Sequence, residues 1–157
     1  LAEDFKLSSG TFVSVGPLRN RAILLGAPYI WDVVVCGLNQ DEIGLLVFLR
    51  EAEVQKLVSG VSTPLSLQAL CQQPEVKAYF EQFLQRLNEG VSGSSRRVAF
   101  LRLMNEAPSL DHHEVTDKGS LNQRAVLTRR AALIEQLYAD QDPERMDYVT
   151  ELVRENP

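Results

Sequence analysis

Two long apolar runs separated by a short polar segment constrain the fold of this chain most strongly. Residues 31–38 (WDVVVCGL) and 43–49 (IGLLVFL) are almost continuously apolar, and residues 39–42 (NQDE) lie between them. Two such runs joined by a short polar loop predict a β-hairpin. Runs that are apolar at both odd and even positions are typical of strands buried on both faces. The sequence therefore predicts a hairpin at the centre of a sheet that helices cover.

Further strands and helices flank this hairpin. Residues 5–15 predict two short strands around the turn Ser8-Ser9-Gly10, and Pro17 is suited to the start of a helix. Residues 96–104 (RRVAFLRLM) predict a third long strand. Between these strands, residues 52–90 have helical patterns, of which the strongest begins at Pro74. Its apolar stripe has helical spacing and consists of Val76, Phe80, Phe83 and Leu87.

The C-terminal part of the chain predicts one long helix and a tail. Asn122 can cap this helix, and Arg129 and Arg130 are expected to face solvent. Residues 143–157 are polar with a weak helical pattern, so we assign residues 1–140 to one domain and residues 141–157 to a partly helical tail. The predicted class is α+β, with a small mixed or antiparallel sheet of about three main strands, a short N-terminal hairpin and covering helices.

Composition and charge exclude several classes of function. Apolar residues make up 45% of the 157 residues, enough for a hydrophobic core. The net charge of −5 and the lack of a basic block argue against nucleic-acid binding. No apolar run approaches the roughly 18 residues of a membrane span. Because the chain begins at Leu1 without a signal-peptide pattern, we expect a cytoplasmic piece of a longer protein.

Few side chains stand out as candidates for chemistry. His112 and His113 are adjacent in a polar loop, and since neighbouring side chains point in different directions, a surface loop is favoured over a metal or acid–base site. Cys36 and Cys71 lie in apolar or helical runs without metal-ligand spacing, so both are expected to fill the core. Lys118 lies in a polar loop before a helix, where it is either a solvated lysine or a cation for a carboxylate or phosphate.

Three segments together resemble the C-terminal domain of acyl-adenylate-forming enzymes, a superfamily that includes acyl-CoA synthetases, luciferases and peptide-synthetase adenylation domains. The segments are residues 2–19 (AEDFKLSSGTFVSVGPLR), residues 27–35 with 41–48 (APYIWDVVV and DEIGLLVF) and residues 114–126 (EVTDKGSLNQRAV). The second and third are most similar to feruloyl-CoA synthases and related bacterial aryl-acid or acyl-CoA ligases. Between them the segments frame residues 1–138.

The resemblance implies a two-step reaction. A carboxylic acid attacks ATP to give an acyl-adenylate and pyrophosphate, and the thiol of CoA then displaces AMP. ATP and CoA are thus the expected substrates, and Mg²⁺ is expected with the large N-terminal domain that holds the nucleotide and acyl pockets. That domain is the expected partner, a homodimer stays open, and the 157 residues alone are expected to be inactive.

The resemblance also assigns roles to individual residues. Lys118 matches the adenylation lysine, although an alternative alignment of the motif places Gln123 there. The family's hinge aligns with Ala2 and Glu3, and no metal ligand is implied. The loop that the family presents to CoA and its pantetheine arm matches Ser8, Ser9, Gly10 and Thr11.

Two rival hypotheses remain. In the first, the domain is a non-catalytic interaction or dimerisation module, to which residues 52–90 and the tail contribute binding surface. In the second, adenylation is retained but the acyl group passes to the thiol of a carrier protein instead of CoA.

Overall fold

Residues 3–93 and 96–150 are described by a computed structural model, and within them the chain forms a two-stranded hairpin, a four-stranded mixed sheet and six helices. The predicted α+β class is confirmed. The elements in chain order are β1 (Phe5–Lys6), β2 (Phe12–Val13), α1 (Val15–Leu25), β3 (Ile30–Cys36), β4 (Ile43–Leu49), α2 (Glu51–Gln55), α3 (Leu67–Gln72), α4 (Pro74–Leu87), β5 (Val98–Leu103), α5 (Gln123–Arg129), α6 (Ala131–Tyr138) and β6 (Met146–Asp147).

The two apolar runs form the antiparallel hairpin β3–β4, as predicted, with Val33 opposite Val47 and Cys36 opposite Gly44. The strand order is β3-β4-β5-β6, so β3 lies at the edge and not at the centre of the sheet. The prediction fails for β3 because β5 pairs in parallel with β4, on the side away from β3. Parallel pairing needs a long crossover, which the helical segment α2–α4 supplies.

Helices cover both faces of the sheet. The apolar stripe predicted on α4 is fully buried, each member being at most 1% exposed, and it packs with α1 and the hairpin residues Leu7 and Val13 against one face. Leu121, Val126 and Leu137, from the chain around α5 and α6, pack against the other face. Burial on both faces accounts for the unbroken apolarity of β3 and β4.

The predicted long C-terminal helix is divided at Arg130. Asn122 caps α5 as expected, since its side chain accepts a hydrogen bond from the Ala125 amide at 3.1 Å. Arg130 has φ −103° and ψ 24° and separates α5 from α6. The expectation that Arg130 faces solvent is wrong, because it is only 7% exposed. A buried carboxylate holds its guanidinium inside the protein, as described below.

The expected helical pattern is also wrong for residues 143–150. Met146–Asp147 forms β6, which pairs antiparallel with β5 through Leu101 and Phe100. Asp142, four residues before β6, forms an ion pair of 3.2 Å with Arg102 of β5. This ion pair holds residues 143–150 at the edge of β5. Residues 151–157 lie outside the described residues. No helix of the described segments is long and apolar enough to span a membrane.

Candidate functional site

Lys118 lies at the tip of a tight turn formed by residues 115–121, whose ends are joined by an antiparallel bridge. The Thr116 amide donates to the Ser120 carbonyl at 2.8 Å, and the Gly119 amide donates to the Thr116 carbonyl at 2.9 Å. Gly119 has φ +80°, a conformation that favours glycine. The Lys118 side chain is exposed, and no described residue forms a hydrogen bond or ion pair with its Nζ. A defined turn thus presents a cation whose charge is not neutralised within residues 3–93 and 96–150.

Glu114, the residue directly before this turn, has a buried carboxylate. Glu114 is 0% exposed, and its carboxylate accepts hydrogen bonds from Arg130 Nε and Nη2, both at 2.9 Å, from Arg129 Nη1 at 3.1 Å and from the Ser109 amide at 2.8 Å. Burial alone would raise the pKa of Glu114, but these hydrogen bonds and the two guanidinium charges hold that pKa below its ordinary value. The carboxylate is therefore ionised at neutral pH.

Gln123, the alternative place for the adenylation lysine, is engaged inside the protein. Its Nε2 donates to the Val33 carbonyl at 2.7 Å, and its Oε1 accepts from the Val35 amide at 3.2 Å. The residue is 5% exposed. Its amide therefore bonds to the outer edge of β3 and does not project toward a ligand.

The loop of Ser8, Ser9, Gly10 and Thr11 connects β1 and β2 and is fixed to the β3–β4 turn. The Ser8 amide donates to the Gln40 carbonyl at 2.8 Å, and the Ser8 hydroxyl donates to Asp41 Oδ1 at 2.7 Å. Gly10 has φ +87°, and a Cβ added there would meet no atom within 4 Å. The loop thus has a fixed base and an open, sterically unobstructed tip.

The lysine turn and the glycine loop lie on opposite faces and toward opposite ends of the main sheet. Leu7 and Val13, which flank the loop, pack on the face that contains α1 and α4, whereas Leu121, which closes the lysine turn, packs on the other face. The loop contacts Gln40 and Asp41, just before the first residue of β4. The guanidinium of Arg130 lies 5.1 Å from the ring centroid of Phe48, near the last residue of that strand. At a rise of about 3.3 Å per residue, Phe48 lies roughly 17 Å along β4 from its first residue, Ile43.

A family model described as "AMP-binding enzyme C-terminal domain" matches residues 7–142. The chain belongs to this family. The match covers most of the chain, including the glycine loop, the lysine turn and the buried Glu114 cluster. The chain thus has the fold of the C-terminal domain of adenylate-forming enzymes, which confirms the family that the sequence resemblance implied. Comparison with curated protein sequences gives no match.

Solved structures show the same fold as this AMP-binding C-terminal domain. The A domain of carboxylic acid reductase from Segniliparus rugosus, in complex with AMP and a co-purified carboxylic acid, superposes with a TM-score of 0.62 at 19% identity, covering 90% of this chain and 20% of that one. The A-PCP didomain of the same enzyme, in complex with AMP, gives 0.62 at 19%, covering 88% and 17%. The adenylation domain of a carboxylate reductase from Mycobacterium chelonae gives 0.61 at 19%, covering 88% and 20%. The chain spans about a fifth of the length of these structures.

The remaining candidate residues of the C-terminal domain are not gathered into a site. His112 and His113 are exposed, and His112 Nδ1 shares a 2.8 Å hydrogen bond with the Ser109 hydroxyl. Across the described segments, no group of three or more His, Cys, Asp or Glu side chains is arranged to hold a metal ion. Of the two hinge residues, Ala2 lies outside the described residues and Glu3 is exposed.

Both cysteines are expected to resist thiol reagents in the folded protein. Cys36 is 2% and Cys71 is 4% exposed, and burial raises the pKa of Cys36 to about 12 and that of Cys71 to about 11. The reactive thiolate is therefore scarce at neutral pH. Titration with a disulfide reagent at pH 8 should label neither residue rapidly, whereas both should react in denaturant. Rapid labelling of the native protein would contradict this prediction.

Sequence reasoning missed the arginine partners of two buried carboxylates, Glu114 and Asp32. Glu114 and Arg130 are separated by 16 residues, and Arg19 of α1 joins Asp32 of β3 across 13 residues. Contacts at such separations leave no local pattern. One signal for Arg130 was present, because it lies at helical spacing between apolar residues of one face, namely Val126, Leu133 and Leu137. An arginine on an apolar stripe needs a buried acidic partner.

Proposed function

We propose that this chain is the mobile C-terminal domain of an AMP-forming acid:CoA ligase. The enzyme would join a carboxylic acid to ATP, forming an acyl-adenylate and pyrophosphate, and then transfer the acyl group to the thiol of CoA with release of AMP. We propose an aryl acid such as ferulate as the substrate, on the basis of the resemblance of residues 27–48 and 114–126. The proposal is supported by the family match and by the placement of the lysine turn and the glycine loop on opposite faces of the sheet.

In the first step, Lys118 would enter the active site of the large domain. Its ammonium group would stabilise the negative charge that develops between the attacking carboxylate and the α-phosphate. No described side chain competes for this ammonium group, so its charge is available to the substrate. On the basis of the family resemblance, we assign the Mg²⁺ that accompanies ATP to the large domain.

In the second step, the loop of residues 8–11 would face the channel for the pantetheine arm. Its side chains are small, and the open space at Gly10 lets a ligand approach the backbone. Lys118 and this loop lie on opposite faces of the sheet, so they cannot enter the same cleft together. Rotation of the domain at residues 2–3 between the steps would present them in turn.

The experiment that tests this proposal measures the two half-reactions separately in the complete enzyme, with the large domain present. Pyrophosphate release is measured with ferulate and ATP, and thioester formation is measured from preformed feruloyl-AMP and CoA. The Lys118→Ala variant is expected to lose the first activity and keep the second. If both activities survive, the catalytic role fails and the non-catalytic interaction module gains support.

A carrier-protein thiol is the second candidate acceptor, because one structural neighbour is an A-PCP didomain of carboxylic acid reductase. The same assay distinguishes the two acceptors when CoA is replaced by a carrier protein bearing phosphopantetheine. Transfer to CoA at a higher kcat/KM supports the ligase, and transfer to the carrier alone overturns the choice of CoA.

Gly10→Leu is expected to slow thioester formation by about 10- to 100-fold while changing adenylation less than about twofold, because the added side chain blocks the open tip of the loop and misplaces the thiol. Gly60→Leu is the matched control. Gly60 also has a positive φ (+76°) and no atom within 4 Å of an added Cβ. Equal losses for both variants would show that backbone strain, and not the pantetheine channel, accounts for the effect.

A further inference from the structure

The turn that carries Lys118 follows directly after Glu114, whose carboxylate is buried. We propose that Glu114, held by Arg130, is a positioning residue that fixes Lys118 for adenylation and has no part in thioester formation. This inference rests on the proposed role of Lys118.

Glu114 fixes the turn through its backbone as well as its side chain. Its amide donates to the Ser109 carbonyl at 2.9 Å, and its carbonyl accepts from the Asn122 amide at 2.8 Å. These bonds hold both ends of the segment that carries Lys118, since Glu114 precedes the turn and Asn122 follows it. Rotation of the turn about its base would break them.

Arg130 connects this base to the rest of the domain. Besides its two bonds to Glu114, its Nη1 donates to the Glu106 carbonyl at 2.9 Å and its Nη2 to the Ala107 carbonyl at 3.0 Å. Its guanidinium also lies over the ring of Phe48 in β4. One side chain thus ties the loop before the turn, the junction of α5 and α6 and the main sheet together.

The cluster of Glu114, Arg129 and Arg130 lies beside the lysine turn, and the loop of residues 8–11 lies on the opposite face of the sheet. A buried ion pair adds little net stability compared with apolar residues of the same volume, so stability alone does not explain its presence. Its geometric effect is to restrict the direction of Lys118, and a small error in the placement of a catalytic cation is costly for rate.

Glu114→Gln in the complete enzyme tests the inference. The substitution keeps the shape of the side chain but removes its charge and one acceptor oxygen. We expect kcat of pyrophosphate release to fall by about 10- to 100-fold with little change in KM, and thioester formation from preformed acyl-AMP to stay within about twofold of the unsubstituted rate. In a Lys118→Ala background, Glu114→Gln should cause almost no further loss, because its effect acts through Lys118.

One further variant controls for the loss of a negative charge beside the two arginines, and a second takes the place of Glu114→Gln if that variant does not fold. Glu106→Gln removes a carboxylate that contacts the same two arginines but is 65% exposed, and it should leave both half-reactions unchanged. If Glu114→Gln does not fold, Arg129→Gln replaces it. This variant removes one donor at 3.1 Å but keeps the buried pair, and a smaller selective loss of adenylation, about threefold, is expected.

The outcomes separate the inference from the proposal on which it rests. Equal losses in both half-reactions, or an undiminished loss from Glu114→Gln in the Lys118→Ala background, would show a purely structural role and overturn the inference. No effect of Lys118→Ala alone would instead overturn the proposed function.

Discussion

Lys118→Ala is expected to slow acyl-adenylate formation in the complete enzyme by about 10²–10³-fold, the usual cost of removing one preorganised group that stabilises transition-state charge. The substitution leaves the fold of this turn intact, because Lys118 is exposed and the hydrogen bonds of the turn come from Thr116, Gly119 and Ser120. The rate of pyrophosphate release checks this prediction. Thioester formation from preformed acyl-AMP should stay within about twofold of the unsubstituted rate, because the role proposed for Lys118 is confined to the first step.

Lys56→Ala provides the matched control for Lys118→Ala. Its side chain is 71% exposed and pairs with Glu53 on the surface of α2, so the substitution removes the same charge from a site that faces solvent. Lys118→Arg keeps the charge but changes its shape and reach, and an intermediate rate is expected. Equal rates for Lys118→Ala and Lys56→Ala would contradict the assignment of Lys118.

Asp32→Ala is expected to lower the free energy of unfolding of the chain by about 1–3 kcal/mol, the cost of leaving buried or half-buried donors without their charged acceptor. Asp32 is 6% exposed, and it accepts hydrogen bonds from Arg19 at 2.8 and 2.6 Å and from the Val33 amide at 2.7 Å. The pair joins α1 to β3. Without the carboxylate, the Arg19 guanidinium and the Val33 amide lose these acceptors. Urea unfolding followed by circular dichroism measures the change.

Asp147→Ala is the control for Asp32→Ala. Asp147 also pairs with an arginine, Arg145, at 2.7 Å, but its side chain is 52% exposed. An exposed pair contributes about 1 kcal/mol or less. If the two substitutions cost the same, burial of Asp32 does not determine the contribution of its pair with Arg19.

The sequence predicted those parts of the fold that depend on neighbouring residues. The hairpin β3–β4 and the buried stripe of α4 followed from local apolar patterns, and both are confirmed. The edge position of β3 and the short strand β6 were not predicted, because they depend on which strands β5 pairs with after the long crossover. Pairing between distant segments leaves little trace in local periodicity.

The candidate site also divides into a part that local sequence patterns predicted and a part that depends on contacts between distant residues. The exposure of Lys118 agrees with the polar, glycine-containing loop in the sequence, and its catalytic role stays a prediction. The support for that loop left only one signal, the position of Arg130 on an apolar stripe, which indicates a buried acidic partner. The identity of that partner, Glu114, could not be predicted, because a contact across 16 residues exists only in the folded structure.

The side chain of Gln123 has a consequence for how molecules of this protein behave toward one another. A long apolar strand with a free edge invites strands from other molecules to add to it. The Gln123 amide bonds to β3 as such a strand would, and so it satisfies the Val33 carbonyl and the Val35 amide on that edge. The first residue of a helix thus blocks strand addition at these two positions, and a motion that pulls α5 from the sheet would make both backbone groups available for pairing.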